Sequence, residues 1–298
     1  MNAYSPDELM GQLAGALPPE CRESTIVIGS LAAAYHFYGG DREKLVQTKD
    51  IDCLLSPNVK ALPVARTMFE KLLDSRWEPM FDPRWPAPGT AETPLDDLPM
   101  VRLCPPGNPE WNLELLNAPG ASGPEKRMAS RLETKHGHFQ LCSFSYLGLA
   151  EVDPLPTPYG ILVARPEMMA LANALHHPAI GEERMAGLIE GRRIKRSNKD
   201  LGRVLVLAWL AERKDPDALL GWAGAWKHGL QTRFPEDWER LAARTGSGIE
   251  ALLASEPDLD EAHHAAIHGL LRSFMIGPEA LAATGRRLLL DAVKSLTR

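Results

Sequence analysis

The sequence predicts an α+β domain over residues 1–164 followed by a helical domain over residues 165–298. Three observations predict it. Short apolar runs of strand length alternate with helical patterns through the first half. From Pro166 onward strand patterns cease, and helical stretches punctuated by Gly, Pro and Asp take over. A length of 298 residues allows one large domain or two of ordinary size, with a substantial core in either case.

The elements follow in order. Residues 6–16 are a helix, with Ser5 as N-cap, Pro6 at the first helical position and Glu8 completing a capping box. Residues 24–29 are a buried strand ending at Gly29-Ser30, and the small apolar run from Leu31 to Phe37 starts a helix that Gly39-Gly40 stops. A second strand covers residues 50–55. An amphipathic helix spans residues 60–75, with Leu62, Ala65, Met68, Phe69 and Leu72 on one face. The Pro-rich stretch 79–99 reads as loop. Met100–Cys104 and Trp111–Leu116, joined by Pro105-Pro106-Gly107-Asn108-Pro109, read as a hairpin. Gln140–Phe144 and Ile161–Val163 are further short strands. Pro166 opens a helix, and Arg203–Arg213, Asp217–His228, Pro235–Arg244, Asp260–Phe274 and Pro278–Leu296 are the helices that follow.

Composition narrows the function classes. Hydrophobic residues make up 44% and charged residues 24%, as in an ordinary globular chain, and no apolar run is long enough to span a membrane. A formal net charge of −6 excludes a global electrostatic funnel for nucleic acid but leaves local basic patches open. The four cysteines, Cys21, Cys53, Cys104 and Cys142, are scattered without a CxxC pair, which argues against structural zinc and for reduced thiols in a cytoplasmic protein. The first residues lack the basic and apolar regions of a signal peptide. There is no GxxxxGK[ST] loop of a P-loop kinase and no GxSxG elbow of a serine hydrolase.

The chemistry concentrates at Thr48-Lys49-Asp50-Ile51-Asp52. In a strand, side chains alternate faces, so Asp50 and Asp52 point one way while Ile51 and Cys53 face the core. Two carboxylates side by side repel unless a cation lies between them, and a hard divalent ion with oxygen ligands suits that geometry. Phosphoryl and nucleotidyl transfer are usually served by two metals on three carboxylates, the third of which should lie on a neighbouring strand. Glu114 in Trp111-Asn112-Leu113-Glu114-Leu115-Leu116 offers it, sharing a face with Asn112 and Leu116. An acid in an apolar strand is costly to bury unpaired, a cost that a metal would offset. Gly29-Ser30 adds a turn at a helix N-terminus, where free N–H groups and the helix dipole favour phosphate.

A Gly-Ser turn, a helix, Asp-x-Asp and a third acid on a later strand together resemble the nucleotidyltransferase superfamily, with its polymerase-β-like mixed sheet and flanking helices. Within it the chain resembles bacterial nucleotidyltransferase-like proteins related to abortive-infection and toxin–antitoxin toxins, over roughly residues 24–215. The resemblance implies a Mg²⁺- or Mn²⁺-dependent transferase that moves a nucleotide from a nucleoside triphosphate to a hydroxyl of tRNA, protein or a small molecule. Asp50, Asp52 and Glu114 would be the metal and catalytic set, with Glu114 completing the metal set or acting as base. Gly29, Ser30, Lys49, Lys195 and Lys199 would bind the triphosphate. The family's Pro-initiated helix carries His-Lys where this chain has Ala172-Asn173, followed by the basic run Arg192-Arg193-Ile194-Lys195-Arg196 and by Lys199-Asp200. That departure leaves open a chain that binds nucleotide or a partner without turnover.

Other features fit structure better than chemistry. His176-His177 and His263-His264 are adjacent pairs that do not face one another on a helix. His136-Gly137-His138 lacks further metal partners. Trp209, Trp222, Trp226 and Trp238 fit helix packing better than base stacking.

Overall fold

A computed structural model describes residues 4–39, 41, 44–45, 50–107, 111–119, 128–144 and 146–297. The chain is a mixed α/β protein that divides into two compact units, Met1–Ala164 and Arg165–Arg298.

The first unit contains helices α1 (Pro6–Ala16), α2 (Pro19–Arg22), α3 (Gly29–Tyr38) and α4 (Asn58–Asp74). Its strands are β1 (Thr25–Val27), β2 (Asp50–Leu55), β3 (Glu78–Pro79), β4 (Arg102–Cys104), β5 (Asn112–Asn117), β6 (Met128–Thr134), β7 (Gly137–Ser143), β8 (Leu155–Pro156) and β9 (Leu162–Val163). Among the described residues they form one open mixed sheet in the order β3-β4-β5-β2-β1-β9-β8, with the β6–β7 hairpin joined to β5 through β7. The pairing of β2 with β5 is parallel, whereas β4 with β5 and β1 with β2 are antiparallel. Ile51, Cys53, Leu54 and Leu55 of β2 are buried, as are Leu113, Leu115 and Leu116 of β5. Phe69 of α4 meets Phe139 of β7 with ring centroids 4.5 Å apart.

Several local expectations are corrected. Ser5 is the N-cap of α1, but its side chain makes no capping hydrogen bond, so there is no capping box with Glu8. Gly29 does not end the strand; it opens α3, one residue beyond an extended Ile28. Leu62 is exposed on α4, because the buried stripe runs through Ala61, Ala65, Met68, Phe69 and Leu72 instead. Loop 79–99 carries a short 3₁₀ turn, Leu95–Asp97. Strand β6 gave no sequence signal, since MASRLET mixes charge and small polar groups. Gly40, Thr48 and Asn108–Glu110 lie outside the described residues.

The second unit is helical: α5 (Pro166–Ile180), α6 (Arg196–Lys214), α7 (Ala218–Arg233), α8 (Trp238–Arg244), α9 (Ser247–Ala254), α10 (Glu256–Ile267), α11 (Pro278–Leu288) and α12 (Lys294–Leu296). Helix α6 lies at its centre, burying Leu201, Val204, Leu205, Leu207 and Ala208. A Cβ on Gly202 would stand 3.0 Å from the Ala262 carbonyl oxygen, so glycine there lets α6 and α10 approach closely. Trp226 is fully buried and donates its indole N–H to the Glu167 carbonyl at 2.8 Å. Trp222 packs beside it, with ring centroids 5.7 Å apart, so these two indoles serve the core. Helix α10 starts earlier than its sequence pattern predicts and stops at Ile267, with Ser255 as a working N-cap for Asp258 N–H. The last helix is interrupted by a π-helical turn, Leu289–Val293, which a periodicity of 3.6 cannot reveal.

Candidate functional site

The strand registers place three side chains along one row and two along the next. Arg102 of β4 stands opposite Glu114 of β5, and Glu114 stands opposite Asp52 of β2. Two residues back along the parallel pair, Asp50 stands opposite Asn112. Opposed residues in a sheet share a face, and so do residues two apart. Asp50, Asp52, Asn112, Glu114 and Arg102 therefore project together, while fully buried Ile51 and Cys53 project to the other side. Burial pushes the Cys53 thiol up, and the nearby Asp52 charge adds to the shift, so this sulfur stays protonated.

The fourth strand brings in the Gly-Ser turn. Ile28 N–H donates to the Asp52 carbonyl at 3.0 Å, which fixes the start of α3 against β2. Gly29 adopts φ +72°, and a Cβ there would fall 2.5 Å from Asp52 Oδ2. Glycine is required twice over: for a left-handed backbone and for the carboxylate lying against it. Ser30 follows in the first turn of α3, where backbone N–H groups have no intrahelical acceptor. The first unit thus brings together Gly29, Ser30, Asp50, Asp52 and Glu114.

Each acid has its own setting. Asp50 is exposed, and its Oδ1 accepts a hydrogen bond from Asn112 Nδ2 at 2.7 Å. Asp52 is half-buried. Glu114 is 8% exposed, yet its burial is offset without a metal. Arg102 donates from Nε to Glu114 Oε2 at 2.7 Å, and its Nη2 forms an ion pair with the same oxygen at 2.7 Å. Burial works against the guanidinium charge, but Glu114 beside it, with a smaller contribution from Asp50, outweighs burial and raises the Arg102 pKa. A metal was one way to offset the burial of Glu114; among the described residues Arg102 supplies a compensating charge.

Arg102 and Asn112 were missed as site residues, though one signal was present. The antiparallel pairing of β4 with β5 sets Arg102 opposite Glu114 and on its face. Asn112 could not be assigned to Asp50 locally, because the parallel pairing of β2 with β5 joins strands about sixty residues apart.

Lys49 falls outside the described residues. Lys195 and Lys199 belong to the second unit. Lys195 Nζ is bound to Glu182 at 3.0 Å and to Asp258 at 3.1 Å, and Lys199 sits in the first turn of α6. Much of the basic run is likewise matched by acids: Arg184 with Glu261, Arg192 with Asp260, and Arg196 with Glu183. Asn173 turns its amide onto the Met169 carbonyl of its own helix at 2.8 Å. His263 and His264 each place Nε2 on a backbone oxygen, of Ile276 and of Ile189.

A hard divalent cation fits the donors of Asp50 and Asp52, two carboxylates two residues apart on one strand face beside phosphate-favouring backbone N–H groups. Among the described residues, no group of three or more His, Cys, Asp or Glu side chains is arranged to hold a metal. No described helix is long and apolar enough to cross a membrane. Comparison of the chain with protein-family models, with curated proteins and with solved structures finds no match.

Proposed function

We propose that this chain is a divalent-cation-dependent nucleotidyltransferase of nucleotidyltransferase-like fold. The observation that carries the reading is the register Asp52 opposite Glu114, with the Gly29 turn pressed onto Asp52 at the start of a ten-residue helix. Carboxylates and phosphate-binding backbone meet there from three separate strands. Asp50 and Asp52 would hold Mg²⁺ or Mn²⁺, which when bound supplies charge neutralisation to a nucleoside triphosphate. Asn112 orients the Asp50 carboxylate, and the backbone after Gly29 offers N–H donors to a phosphate. The acceptor hydroxyl attacks the α-phosphorus, its proton passes to a carboxylate of the site, and pyrophosphate leaves. The acceptor is an RNA, a protein or a small molecule, as the toxin-like resemblance suggests.

Purified protein incubated with each α-labelled nucleoside triphosphate, Mg²⁺ or Mn²⁺ and a cell extract tests this. Label is expected on one macromolecular class and is expected to be lost in an Asp50→Ala/Asp52→Ala variant. No transfer by the folded wild-type chain, with extract or with a small-molecule hydroxyl panel, overturns the reading.

A second reading has its own support. Glu114 is engaged by Arg102, Lys195 is held by two acids, and Asn173 supplies no charge. These favour a nucleotide-binding chain without turnover. In the same assay, activity appearing only in an Asn173→Lys variant supports it, and robust wild-type transfer sinks it.

A further inference from the structure

We infer that Arg102 takes the place of a second cation: the site holds one divalent ion, on Asp50 and Asp52, and Arg102, anchored by Glu114, binds phosphate. The inference rests on the reading of Asp50 and Asp52 as a cation and triphosphate site.

The argument begins with what Glu114 does. A third carboxylate usually serves two metals by ligating one of them. Here Glu114 Oε2 accepts from Nε of Arg102 and is ion-paired with its Nη2, and the carboxylate is nearly buried. Pulling a buried carboxylate from its hydrogen-bonded guanidinium is strongly unfavourable, because it leaves charge uncompensated. The pair is also fixed by the backbone, since Arg102 and Glu114 are register partners of an antiparallel ladder. Glu114 is therefore an anchor, not a ligand or a base.

The guanidinium is held by one edge. Two of its nitrogens are given to Glu114, and the structure gives Nη1 no acceptor among the described residues. The side chain keeps 31% of its surface exposed, and Asp50 contributes to its electrostatic setting. A rigid, permanently charged fork with an accessible edge, on the carboxylate face, is a phosphate ligand by its chemistry.

Manganese titration followed by electron paramagnetic resonance counts the cations, and calorimetry with inorganic tripolyphosphate in the presence of Mg²⁺ reads the phosphate contact. The wild-type chain is expected to bind one Mn²⁺. Glu114→Gln is expected to keep that ion with affinity changed less than about tenfold, the lower bound of a ligand-shell effect. Arg102→Gln is expected to admit a second Mn²⁺ onto the released Glu114 and to weaken tripolyphosphate about tenfold or more, as loss of a charged hydrogen bond requires. Two wild-type ions, none, a larger loss in Glu114→Gln, or undiminished tripolyphosphate binding in Arg102→Gln each overturns the inference. If Arg102→Gln does not fold, the wild-type and Glu114→Gln counts decide alone. A chain with these counts but no nucleotide transfer keeps the inference and loses the transferase reading; a chain that transfers with two ions does the reverse.

Discussion

Gly29 is where backbone and chemistry are least separable. Any side chain there must accept φ +72° and also displace a carboxylate oxygen of Asp52. Left-handed backbone alone costs an L-residue about 1–2 kcal/mol. Gly160 supplies the control: its φ is +76°, but an added Cβ would meet only Arg22 Cδ at 3.9 Å. Gly29→Ala is therefore expected to lower unfolding free energy in urea by more than Gly160→Ala does. Equal losses would mean that Asp52 yields without cost. The candidate site was legible where chemistry is local. Asp50 and Asp52 share a strand face by alternation, and the Gly-Ser turn follows directly from an apolar run. Glu114 was found for the same reason, but its partner was not, because an acid's counter-charge can come from metal or from arginine and alternation does not distinguish them.

At the scale of elements, the turn between α5 and α6 shows how acidic groups staple a loop. Asn198, 4% exposed, donates to Asp258 Oδ1 at 2.8 Å and to Glu261 Oε2 at 2.9 Å. Lys195 adds its backbone N–H to Glu261 at 2.9 Å and its ammonium to Asp258 at 3.1 Å. The Asn198 amide, then Ser255 and Lys195, hold the Asp258 carboxyl below its ordinary range despite partial burial. Burial would raise Glu261, but the Lys195 N–H, Asn198 and Arg184 outweigh it. A depressed carboxylate contributes stability above its unfolded pKa, and that contribution is lost as pH falls through the folded value. The melting temperature is thus expected to fall on acidification from about pH 5 to about pH 3. An Asp258→Asn variant should start lower near neutrality and fall less; a parallel decline would exclude Asp258 as a contributor. Element types were largely readable, since β2 and α5 begin where the pattern put them. The basic run pairs partly with nearby Glu182 and Glu183 and partly with Asp258, Asp260 and Glu261, more than fifty residues on, which the local sequence cannot show.

At the scale of the whole molecule, each unit carries its own core. The second buries Trp226, Leu205, Leu207, Leu230, Leu271 and Leu288 to 0% exposure. Residues 165–298, produced alone, are expected to give a helical circular-dichroism spectrum and a cooperative thermal transition. A gradual, non-cooperative loss of ellipticity would show that this core depends on the first unit. The first unit has a different vulnerability. Its candidate site is assembled from residues 29, 52, 102 and 114, which meet only because four neighbouring strands keep their registers. Side chains on a strand obey parity: removing or adding a single residue within β2 or β5 turns every later carboxylate or leucine inside out. Substitutions at these strands change one group at a time, whereas a one-residue deletion exchanges core for site along the whole strand. A change of length within these strands is therefore expected to destroy the site where one in a loop would not, and the spacing within Asp50-Ile51-Asp52 and Asn112-Leu113-Glu114 is as much a part of the site as the residues themselves.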